Sequence, residues 1–364
     1  MKIAISGGHS TGLGLIEEIQ KKHPLWQIYY FGCKFALEGE KAFSFDYKIV
    51  SQIKGVRFIS LTTGRLARKI GFLTFFSLLK IPCGFARSLY YLFKLRPDLI
   101  VSFGGYVSVP LVIAGWILGI PSITHEQTQV LGLATKINQF FVKKVALAYS
   151  RLMDQLPKGK GVYTGMPLRA ILNNKTNPGD LKELKEALEK SLKPLLFITT
   201  GKAGSRLINQ VIVKIVPELS KKFLILHQMG EFGYSNLNKN LKWENYYPVS
   251  LLGGLEQSWV LNKADLVISR SGANITFELL FLRKPAILIP LQFSPQDEQK
   301  KNADWFVSLG GGERLLQKDL NEKTLGELIE KVYQNKKKYL LNLEKVKIEN
   351  GSKKLLALVE EILE

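Results

Sequence analysis

The sequence is poor in the residues that build disulfide frameworks and metal centres. Its 364 residues include two cysteines, Cys33 and Cys83, and four histidines. Two distant cysteines in no ligand-like spacing argue against a disulfide scaffold and a structural zinc site, and they fit a reducing compartment. We therefore expect an intracellular protein that holds no metal and no cofactor.

Long apolar runs are also missing. The longest apolar stretch, residues 71–93, is broken by charged or helix-disfavouring residues, namely Lys80, Pro82, Gly84 and Arg87. A membrane-spanning helix needs about 20 mostly apolar residues, so this stretch is a poor candidate for one. The chain begins directly with a strand-like segment, residues 2–6, without a signal-peptide pattern. We expect the protein to stay on the cytoplasmic side of the membrane.

Acidic residues are scarce in the first half of the chain. The net charge is +20, and residues 1–170 contain 22 Lys and Arg against 8 Asp and Glu. This excess favours an anionic partner such as phospholipid, phosphate or nucleic acid, although charge that only maintains solubility is the simpler explanation. No nucleic-acid-binding motif accompanies the charge, so we expect no nucleic-acid partner.

Residues 51–97 concentrate this charge, with nine Lys and Arg and no acidic residue. A basic surface with an apolar face is typical of proteins that lie on anionic lipid. The alternative is that the aromatic residues fill the core while the charges are solvated. We predict peripheral contact with an anionic membrane surface. The apolar residues of this segment include Phe72, Leu73, Phe75, Phe76, Leu78, Leu79, Ile81 and Phe85.

Short apolar runs alternate with helical patterns along the whole chain. This alternation predicts parallel sheets covered by helices on both faces, and 364 residues exceed what one hydrophobic core supports. We predict two Rossmann-like, doubly wound α/β domains facing a cleft, residues 1–168 and residues 169–364. The final helix is a candidate to pack back on the first domain. The polar segment of residues 180–191 is predicted to form a helix with Asp180 as its N-cap. The predicted strands cover residues 2–6, 27–32, 57–61, 99–105, 122–127, 145–150, 194–201, 222–230, 246–252, 266–272 and 285–291.

Four glycine turns follow predicted strands, at residues 6–9, 104–106, 200–204 and 270–273. Glycines at such turns let the backbone approach a ligand and present N–H groups at a helix N-terminus. Their spacing matches neither the dinucleotide fingerprint G-x-G-x-x-G nor the P-loop, which argues against a dehydrogenase and an NTPase. One such turn is best explained by packing, but four in two domains favour a phosphate-containing ligand, with Lys202 or Arg270 as a cation.

Polar side chains follow the last two strands. Glu278 lies about two helical turns after Arg270, where a carboxylate is able to accept from ribose hydroxyls. Asp297, Gln299 and Asn302 stand at a predicted loop-to-helix junction, and groups of this kind read sugar hydroxyls. A solvated helix face and a polar helix start are the simpler explanations for these residues taken singly.

Taken together, the motifs resemble those of the MurG family, the N-acetylglucosaminyltransferases that convert lipid I to lipid II. The resemblance covers nearly the whole chain and keeps the family order. The motifs are S-G-G-H (6–9), G-G-Y-V-S-V-P (104–110), H-E-Q (125–127), T-G-M-P-L-R (164–169), G-x-x-G-S-R-L-I-N-Q (201–210), H-Q-M-G (227–230), R-S-G-A-N-I-T-F-E (270–278) and D-E-Q-K-K-N-A (297–303).

The resemblance implies a GT-B fold and an inverting, metal-independent transfer from UDP-N-acetylglucosamine to an undecaprenyl-linked muramyl peptide in peptidoglycan synthesis. No D-x-D motif of metal-dependent glycosyltransferases occurs. His9 is the first candidate for the base, because an imidazole pKa near 6.5 suits that work, and Glu126 is the second. The implied donor-binding residues are Arg169, Gly201, Lys202, Gly204, Leu252, Arg270, Ser271, Gly272, Ala273, Glu278 and Gln299. The implied acceptor-binding residues are Gly7, Gly8, Gly104, Gly105, Tyr106, His125, Gln127 and Thr128.

The chain departs from the family pattern at several positions. Thr128 and Met166 stand where the family has asparagine, Lys202-Ala203 replaces Ser-Gln, and Gly253-Gly254 replaces an acidic pair. These departures leave two kinds of alternative open. One is another GT-B enzyme, such as a lipid glucosyltransferase or a UDP-sugar 2-epimerase. The other is a non-catalytic paralogue that recruits a partner to the membrane, against which the retained Glu278 and Gln299 argue.

Overall fold

The computed structural model describes residues 1–7, 9–35, 43–61, 63–64, 72–201, 204–238 and 243–364. Within these ranges, the side chains of residues 9, 10, 45, 72–80 and 295 are outside the description. The chain divides into two compact units. Unit 1 comprises residues 1–169 and 349–364, and unit 2 comprises residues 170–348. The last helix thus belongs to unit 1, on which it was a candidate to pack back, although the predicted boundaries counted it within residues 169–364.

Unit 1 is built on a seven-stranded sheet in which every neighbouring pair is parallel. The strand order is β3-β2-β1-β4-β5-β6-β7. Central strands such as Leu99–Ser102 are buried at every residue, which explains their continuous apolar sequence. The strands are β1 Lys2–Ser6, β2 Gln27–Gly32, β3 Val56–Ser60, β4 Leu99–Ser102, β5 Ser122–Glu126, β6 Lys144–Leu147 and β7 Gly161–Tyr163.

Helices cover the unit 1 sheet. Among the described residues, no helix is long and apolar enough to cross a membrane. A 3-10 helix, Ser150–Gln155, links β6 to β7. The α-helices are α1 His9–Lys22, α2 Phe45–Val50, α3 Phe72–Leu95, α4 Ser108–Ile117, α5 Leu133–Asn138 and, at the end of the chain, α14 Ser352–Leu363.

The final helix joins unit 1 because its apolar face completes the core beside α1. Leu355 and Val359 are fully buried in a cluster with Ile3 and Ile16. At the rim, the Glu360 carboxylate accepts from Lys22 Nζ at 2.6 Å. The Asn350 side chain holds the preceding segment, since its Nδ2 donates to the Leu168 carbonyl and its Oδ1 accepts from the Leu168 N–H.

Unit 2 has a six-stranded parallel sheet in the order β10-β9-β8-β11-β12-β13. The short strands β7 and β13 were not predicted from the sequence, because three residues carry too little periodicity to be recognised. The other strands lie where the sequence predicts strands: β1 and β2 have the predicted bounds, β3 is shifted by one residue, and the rest are shorter than predicted. The strands are β8 Leu195–Thr199, β9 Leu224–Gln228, β10 Tyr246–Val249, β11 Leu266–Ser269, β12 Ala286–Leu288 and β13 Gly312–Arg314.

The helices of unit 2 begin with the polar helix expected over residues 180–191. It spans Lys182–Lys190, and its N-cap is Leu181, which makes no side-chain cap. The prediction that Asp180 is the N-cap was therefore wrong by one residue. The α-helices are α6 Lys182–Lys190, α7 Arg206–Lys222, α8 Glu231–Ser235, α9 Gly254–Lys263, α10 Ala273–Phe281, α11 Glu298–Ser308, α12 Glu322–Gln334 and α13 Lys336–Glu344, and the 3-10 helices are Ala170–Asn173, Pro295–Asp297 and Gln317–Asp319.

Both sheets reverse their direction of growth at the same place in the topology. In unit 1 the reversal lies between β1 and β4, and in unit 2 it lies between β8 and β11. Loops that leave such a point run to opposite faces of the sheet and leave a crevice where ligands of open α/β sheets bind. The four glycine turns follow these four strands, so each unit carries a pair of them at its switch point.

Candidate functional site

The β1 loop of unit 1 approaches the β4 loop closely because Gly7 has no side chain. Gly7 has a φ of +70°, and a Cβ atom there would lie 2.5 Å from the Gly104 carbonyl oxygen. The Tyr30 hydroxyl donates to the Gly7 carbonyl at 2.9 Å. Gly8 lies outside the described residues. His9 is the first residue of α1, and its side chain is not among those described, so its predicted role as base stays a prediction.

The β4 loop offers an open backbone surface. Gly104 and Gly105 have φ values of +80° and +79°, and a Cβ on either would meet no heavy atom within 4 Å. The Ser108 hydroxyl donates to the Gly105 carbonyl at 2.8 Å and braces the turn. Tyr106 extends from the turn to the end of β2, where its hydroxyl lies 3.0 Å from Cys33 Sγ. The predicted Gly104, Gly105 and Tyr106 therefore lie together at the switch point.

His125 is part of the core in this structure. Its side chain is 1% exposed, and Nε2 donates to the Gly165 carbonyl at 3.0 Å. Burial lowers the pKa of His125 to about 4, because the imidazolium form is poorly solvated there. A neutral His125 thus ties β5 to the chain at Gly165. Its predicted contact with an acceptor stays a prediction that needs movement of the residues around it.

Glu126 is a buried carboxylate whose two oxygens are both occupied. Oε1 accepts from the Thr128 N–H at 3.0 Å and lies 2.8 Å from the Thr128 hydroxyl, whose single proton is shared with the Val130 carbonyl at 2.5 Å. Oε2 accepts from the Gly132 N–H at 2.8 Å and from the Thr135 hydroxyl at 2.6 Å. These donors satisfy the charge of a carboxylate that is only 5% exposed. To serve as a base, Glu126 would have to give up these bonds.

Gln127 connects the remaining loops of the switch point. Its Nε2 donates to the Phe103 carbonyl at 3.1 Å, and its Oε1 accepts from the Thr11 hydroxyl at 2.8 Å. Thr11 was not singled out from the sequence, although its place in the first turn of a helix after a glycine loop is a usable signal. Thr128 stands where the family has asparagine. Its hydroxyl faces Glu126, so it is not a free contact for a ligand.

Arg169 is the last residue of the first segment of unit 1. Its Nε donates to Glu17 Oε1 at 3.0 Å. The guanidinium has five donors, so this contact with α1 leaves others for an anion. The predicted approach of Arg169 to the donor diphosphate stays a prediction.

In unit 2, the β8 loop contains two glycines with positive φ. A Cβ on Gly201, whose φ is +79°, would meet nothing within 4 Å. Gly204 has a φ of +72°, and a Cβ there would lie 2.3 Å from the Met229 carbonyl oxygen. Lys202 lies outside the described residues. One glycine thus opens the loop to a ligand, and the other packs it against the β9 loop.

Arg270 supplies a half-buried cation at this switch point. Nη1 donates to the carbonyls of Ile289 and Pro290 at 3.2 and 3.4 Å, and Nη2 donates to Ser205 Oγ at 2.8 Å. Burial lowers the pKa of Arg270 to about 10, so the side chain remains charged at neutral pH. Ser205, which the sequence analysis missed, is also the N-cap of α7. The positive charge of Arg270 and the positive end of the α7 dipole therefore lie close together, and both attract an anion.

The β11 loop leads directly into α10, whose N-cap makes no side-chain hydrogen bond. Gly272 is the N-cap and Ala273 the first residue, and the first N–H groups of a helix have no partner within the helix. Ser271 is fully buried. Its hydroxyl donates to the Gln299 carbonyl at 2.7 Å, and Asn302 Nδ2 donates to its carbonyl at 3.0 Å. The loop and the start of α11 thus form one rigid group.

Gln299 and Glu278 stand on either side of this loop. Gln299 Oε1 accepts from the Leu291 N–H at 3.0 Å, which fixes the orientation of the amide; its predicted contact with the sugar stays a prediction. Glu278 Oε2 accepts from Gln257 Nε2 at 3.4 Å. Gln257 lies in the first turns of α9, directly after the loop that carries Leu252. Apart from Arg169, which belongs to unit 1, the described predicted donor residues thus lie on loops and helices at one end of the unit 2 strands.

The chemistry available in unit 2 fits a nucleotide diphosphate. Backbone N–H groups at two helix starts and the Arg270 guanidinium attract phosphate, and a carboxylate and an amide are able to bind hydroxyls. Among the described residues, no group of three or more His, Cys, Asp and Glu side chains is placed to hold a metal ion. The predicted metal independence stays a prediction.

Comparison with known proteins agrees with this class of site. Residues 195–359 match the glycosyltransferase family 28 C-terminal domain, and residues 41–147 match the glycosyltransferase family 28 N-terminal domain. The class is therefore a GT-B glycosyltransferase with two Rossmann-like domains.

A relative narrows this class. The UDP-N-acetylglucosamine--N-acetylmuramyl-(pentapeptide) pyrophosphoryl-undecaprenol N-acetylglucosamine transferase 2 of Bacillus cereus is 32% identical over 370 residues, which cover 100% of this chain and 99% of the relative. The chain belongs to the MurG family of N-acetylglucosamine transferases, and the family resemblance seen in the sequence is confirmed.

Solved structures show the same fold. MurG of Acinetobacter baumannii superposes with a TM-score of 0.68 at 18% identity, covering 99% of each chain. The UDP-GlcNAc 2-epimerase of Neisseria meningitidis, solved with UDP-GlcNAc, has a TM-score of 0.66 at 12% identity and covers 99% of this chain and 100% of its own. Two activities share this fold at similar scores, so the fold alone does not separate them.

The close packing of the β8 loop is testable by substitution. Gly204→Ala places a Cβ against the Met229 carbonyl oxygen in a positive-φ conformation, and we expect it to destabilise unit 2 by about 1–3 kcal/mol. Thermal unfolding measures the loss. Gly326→Ala, in α12 with nothing within 4 Å of the added Cβ, is the matched control and should be neutral or stabilising. Equal unfolding temperatures for the two variants would contradict the packing described for Gly204.

Proposed function

We propose that the protein transfers N-acetylglucosamine from UDP-N-acetylglucosamine to the 4-hydroxyl of lipid-linked N-acetylmuramic acid, converting lipid I to lipid II in peptidoglycan synthesis. The observation that carries the proposal is the full-length identity of 32% to a transferase named for this reaction. The structure supports the proposal because unit 2 has two helix N-termini and the Arg270 guanidinium at its switch point, and these groups suit a nucleotide diphosphate.

The donor binds at the switch point of unit 2 in this proposal. The diphosphate lies over the β8 and β11 loops, where Arg270, the α7 N-terminus and the α10 N-terminus neutralise its charge. Glu278 accepts hydrogen bonds from the ribose, and Gln299 Nε2 donates to the sugar. Leu252 lies beside the nucleoside, in the loop that precedes Gln257. Lys202 and Arg169 add positive charge toward the phosphates.

The acceptor binds at the switch point of unit 1. The open backbone of Gly104 and Gly105 allows a sugar phosphate to approach closely, and Tyr106 borders the same loop. Gly7 and Gly8 provide the second wall through the β1 loop. The residues predicted to contact the acceptor thus follow three neighbouring strands of one sheet.

The reaction is a single displacement at the anomeric carbon of the donor sugar. The acceptor 4-oxygen forms a bond to this carbon while the bond to the UDP oxygen breaks, so an α-linked donor gives a β-linked product. His9 takes the proton of the attacking hydroxyl. The electron pair of the broken bond leaves on UDP, where Arg270 and the helix N-termini stabilise the negative charge. Metal independence is part of this proposal.

A peripheral position on the cytoplasmic face of the membrane fits the acceptor, whose lipid tail remains in the bilayer. In unit 1, large apolar side chains are exposed: Phe93 on α3 is 64% exposed, Trp116 on α4 57%, and Phe140 in the turn after α5 72%. The Arg96 guanidinium lies over the Phe93 ring at 5.6 Å. Aromatic side chains beside basic ones suit the boundary between lipid headgroups and acyl chains.

The proposed function is tested by incubating the protein with radiolabelled UDP-N-acetylglucosamine and lipid I and separating the lipids by chromatography. We expect label in a lipid product that depends on the acceptor. A parallel reaction without acceptor tests for 2-epimerisation of the UDP-sugar. Donor turnover without acceptor would support an epimerase, and donor binding without any transfer would support a non-catalytic paralogue.

Removing the Glu278 carboxylate should weaken the donor complex. We expect Glu278→Ala to lower the affinity for UDP by about 1–3 kcal/mol, the usual loss when hydrogen bonds to a charged group are removed. Isothermal titration calorimetry measures the change, and Glu344→Ala, on α13, is a control carboxylate. Unchanged UDP affinity in Glu278→Ala would place the ribose elsewhere.

His9→Ala should lower turnover by about 10²–10⁴-fold, the range for loss of a general base, with UDP affinity unchanged. Steady-state kinetics with lipid I and calorimetry with UDP separate the two effects. Near-normal turnover would move the base to another group or to water.

Vesicle sedimentation tests membrane contact. The protein should sediment with phosphatidylglycerol vesicles at low salt and be released as salt rises, because about 1 kcal/mol per basic residue is screened by ions. Phe93→Ser combined with Trp116→Ser should weaken this binding, while Phe232→Ser, at a side chain in unit 2 that is 68% exposed, should not. Failure of the wild-type protein to bind at low salt would contradict the membrane proposal.

A further inference from the structure

The Gln127 side chain forms hydrogen bonds to two segments outside its own loop and bridges them. It lies directly after β5, donates to the Phe103 carbonyl at the end of β4 and accepts from the Thr11 hydroxyl in α1. Phe103 precedes the open glycines of the β4 loop. Thr11 lies in the first turn of α1, which begins at His9. One side chain therefore relates the acceptor loop to the helical turn that carries the proposed base.

Both ends of this bridge are buried. Thr11 is fully buried and Phe103 nearly so. Water therefore competes poorly for these hydrogen bonds, and they are stronger than they would be on the surface. The bridge also runs parallel to the close contact of Gly7 with the Gly104 carbonyl, so the β1 and β4 loops are joined by packing and by a polar link.

A bridging side chain fixes its partners only if its own loop is rigid, and Glu126 provides this rigidity. Four donors from Thr128, Gly132 and Thr135 surround its two oxygens. A carboxylate has about four acceptor sites. Three of these donors use one site each, and the Thr128 hydroxyl, whose proton is shared with the Val130 carbonyl, lies at the fourth. The loop from Gln127 to the first turn of α5 is thereby folded around one buried charge.

We propose that Glu126 and Gln127 are positioning residues: Glu126 holds the β5 loop, and Gln127 uses it to hold the β4 loop and the His9 turn in register. Glu126 then takes no part in proton transfer, because a base needs an acceptor site that faces the substrate. This inference rests on the proposed function for its kinetic consequences, whereas its structural consequences can be measured without any substrate.

Hydrogen–deuterium exchange gives the structural test. Gln127→Met keeps the length of the side chain and removes both hydrogen bonds. We expect faster exchange in peptides covering residues 9–14 and 103–108, and unchanged exchange in unit 2. The control is Gln139→Met, which removes an exposed amide bonded to the Lys136 carbonyl in the same unit. Unchanged exchange in Gln127→Met would overturn the bridge, whether or not the protein transfers sugar.

Kinetics with lipid I tests the consequence for catalysis. A displacement of the base by about 1 Å lowers rates by up to about 100-fold, so we expect Gln127→Met to lower kcat by about 10- to 100-fold with UDP affinity unchanged. If Gln127 acts through His9, the loss should largely disappear when Gln127→Met is added to His9→Ala. Additive losses would contradict action through His9.

Glu126 variants separate positioning from proton transfer. Glu126→Gln places a donor against donors, and Thr135→Val removes one hydrogen bond while leaving the carboxylate. We expect both variants to lower kcat and to accelerate exchange over residues 127–135. The acidic limb of the pH–rate profile should not move. Thr135→Ser should restore kcat and the slow exchange. Loss of that limb in Glu126→Gln, with normal turnover in Thr135→Val, would make Glu126 the base. Absence of transfer by the wild-type protein would count against the proposed function alone, because the exchange experiment still decides the bridge.

Discussion

Each unit depends on the close approach of two backbone turns near the carboxyl ends of its parallel strands. In unit 1 a Cβ on Gly7 would lie 2.5 Å from the Gly104 carbonyl oxygen, and in unit 2 a Cβ on Gly204 would lie 2.3 Å from that of Met229. Such contacts exclude every residue except glycine. They bring together the loops from neighbouring strands, and the polar groups of the site are then placed by hydrogen bonds between those loops.

The buried charges of the two units differ in their hydrogen-bond partners. Glu126 is a buried anion whose acceptor sites are filled by donors of its own loop, so its charge serves the structure. Arg270 is a half-buried cation whose donors reach carbonyls and a hydroxyl; these neutral groups leave its charge available to an incoming phosphate. Desolvation lowers the pKa of Arg270 to about 10, which is still far above neutrality. The contrast agrees with the proposal that unit 2 binds the diphosphate of the donor and that the β5 loop of unit 1 has a structural role.

Much of the fold was predictable, because apolar runs and glycine turns are local features. Buried parallel strands such as residues 99–102 are recognisable from their continuous apolar sequence. The strands β7 and β13, with three residues each, are too short to be recognised in this way. The glycine loops were recognised, but the contacts of Thr11 and Ser205 were missed, since a hydrogen bond between distant segments leaves no periodic signal. His125 and Glu126 were recognised as a motif, yet their burial was not.

The sequence by itself determined the class of the protein, namely two α/β domains and membership of a transferase family, because motif order and strand–helix alternation are local features of the chain. The tertiary structure decided what each polar residue is able to do. It placed His125 in the core, surrounded Glu126 with donors, and returned the last helix to unit 1 through Leu355, Val359 and Asn350. Burial and the partners of His125 and the last helix arise from segments far apart in sequence. The donors around Glu126 are close in sequence, but they reach its oxygens only when their loop is folded.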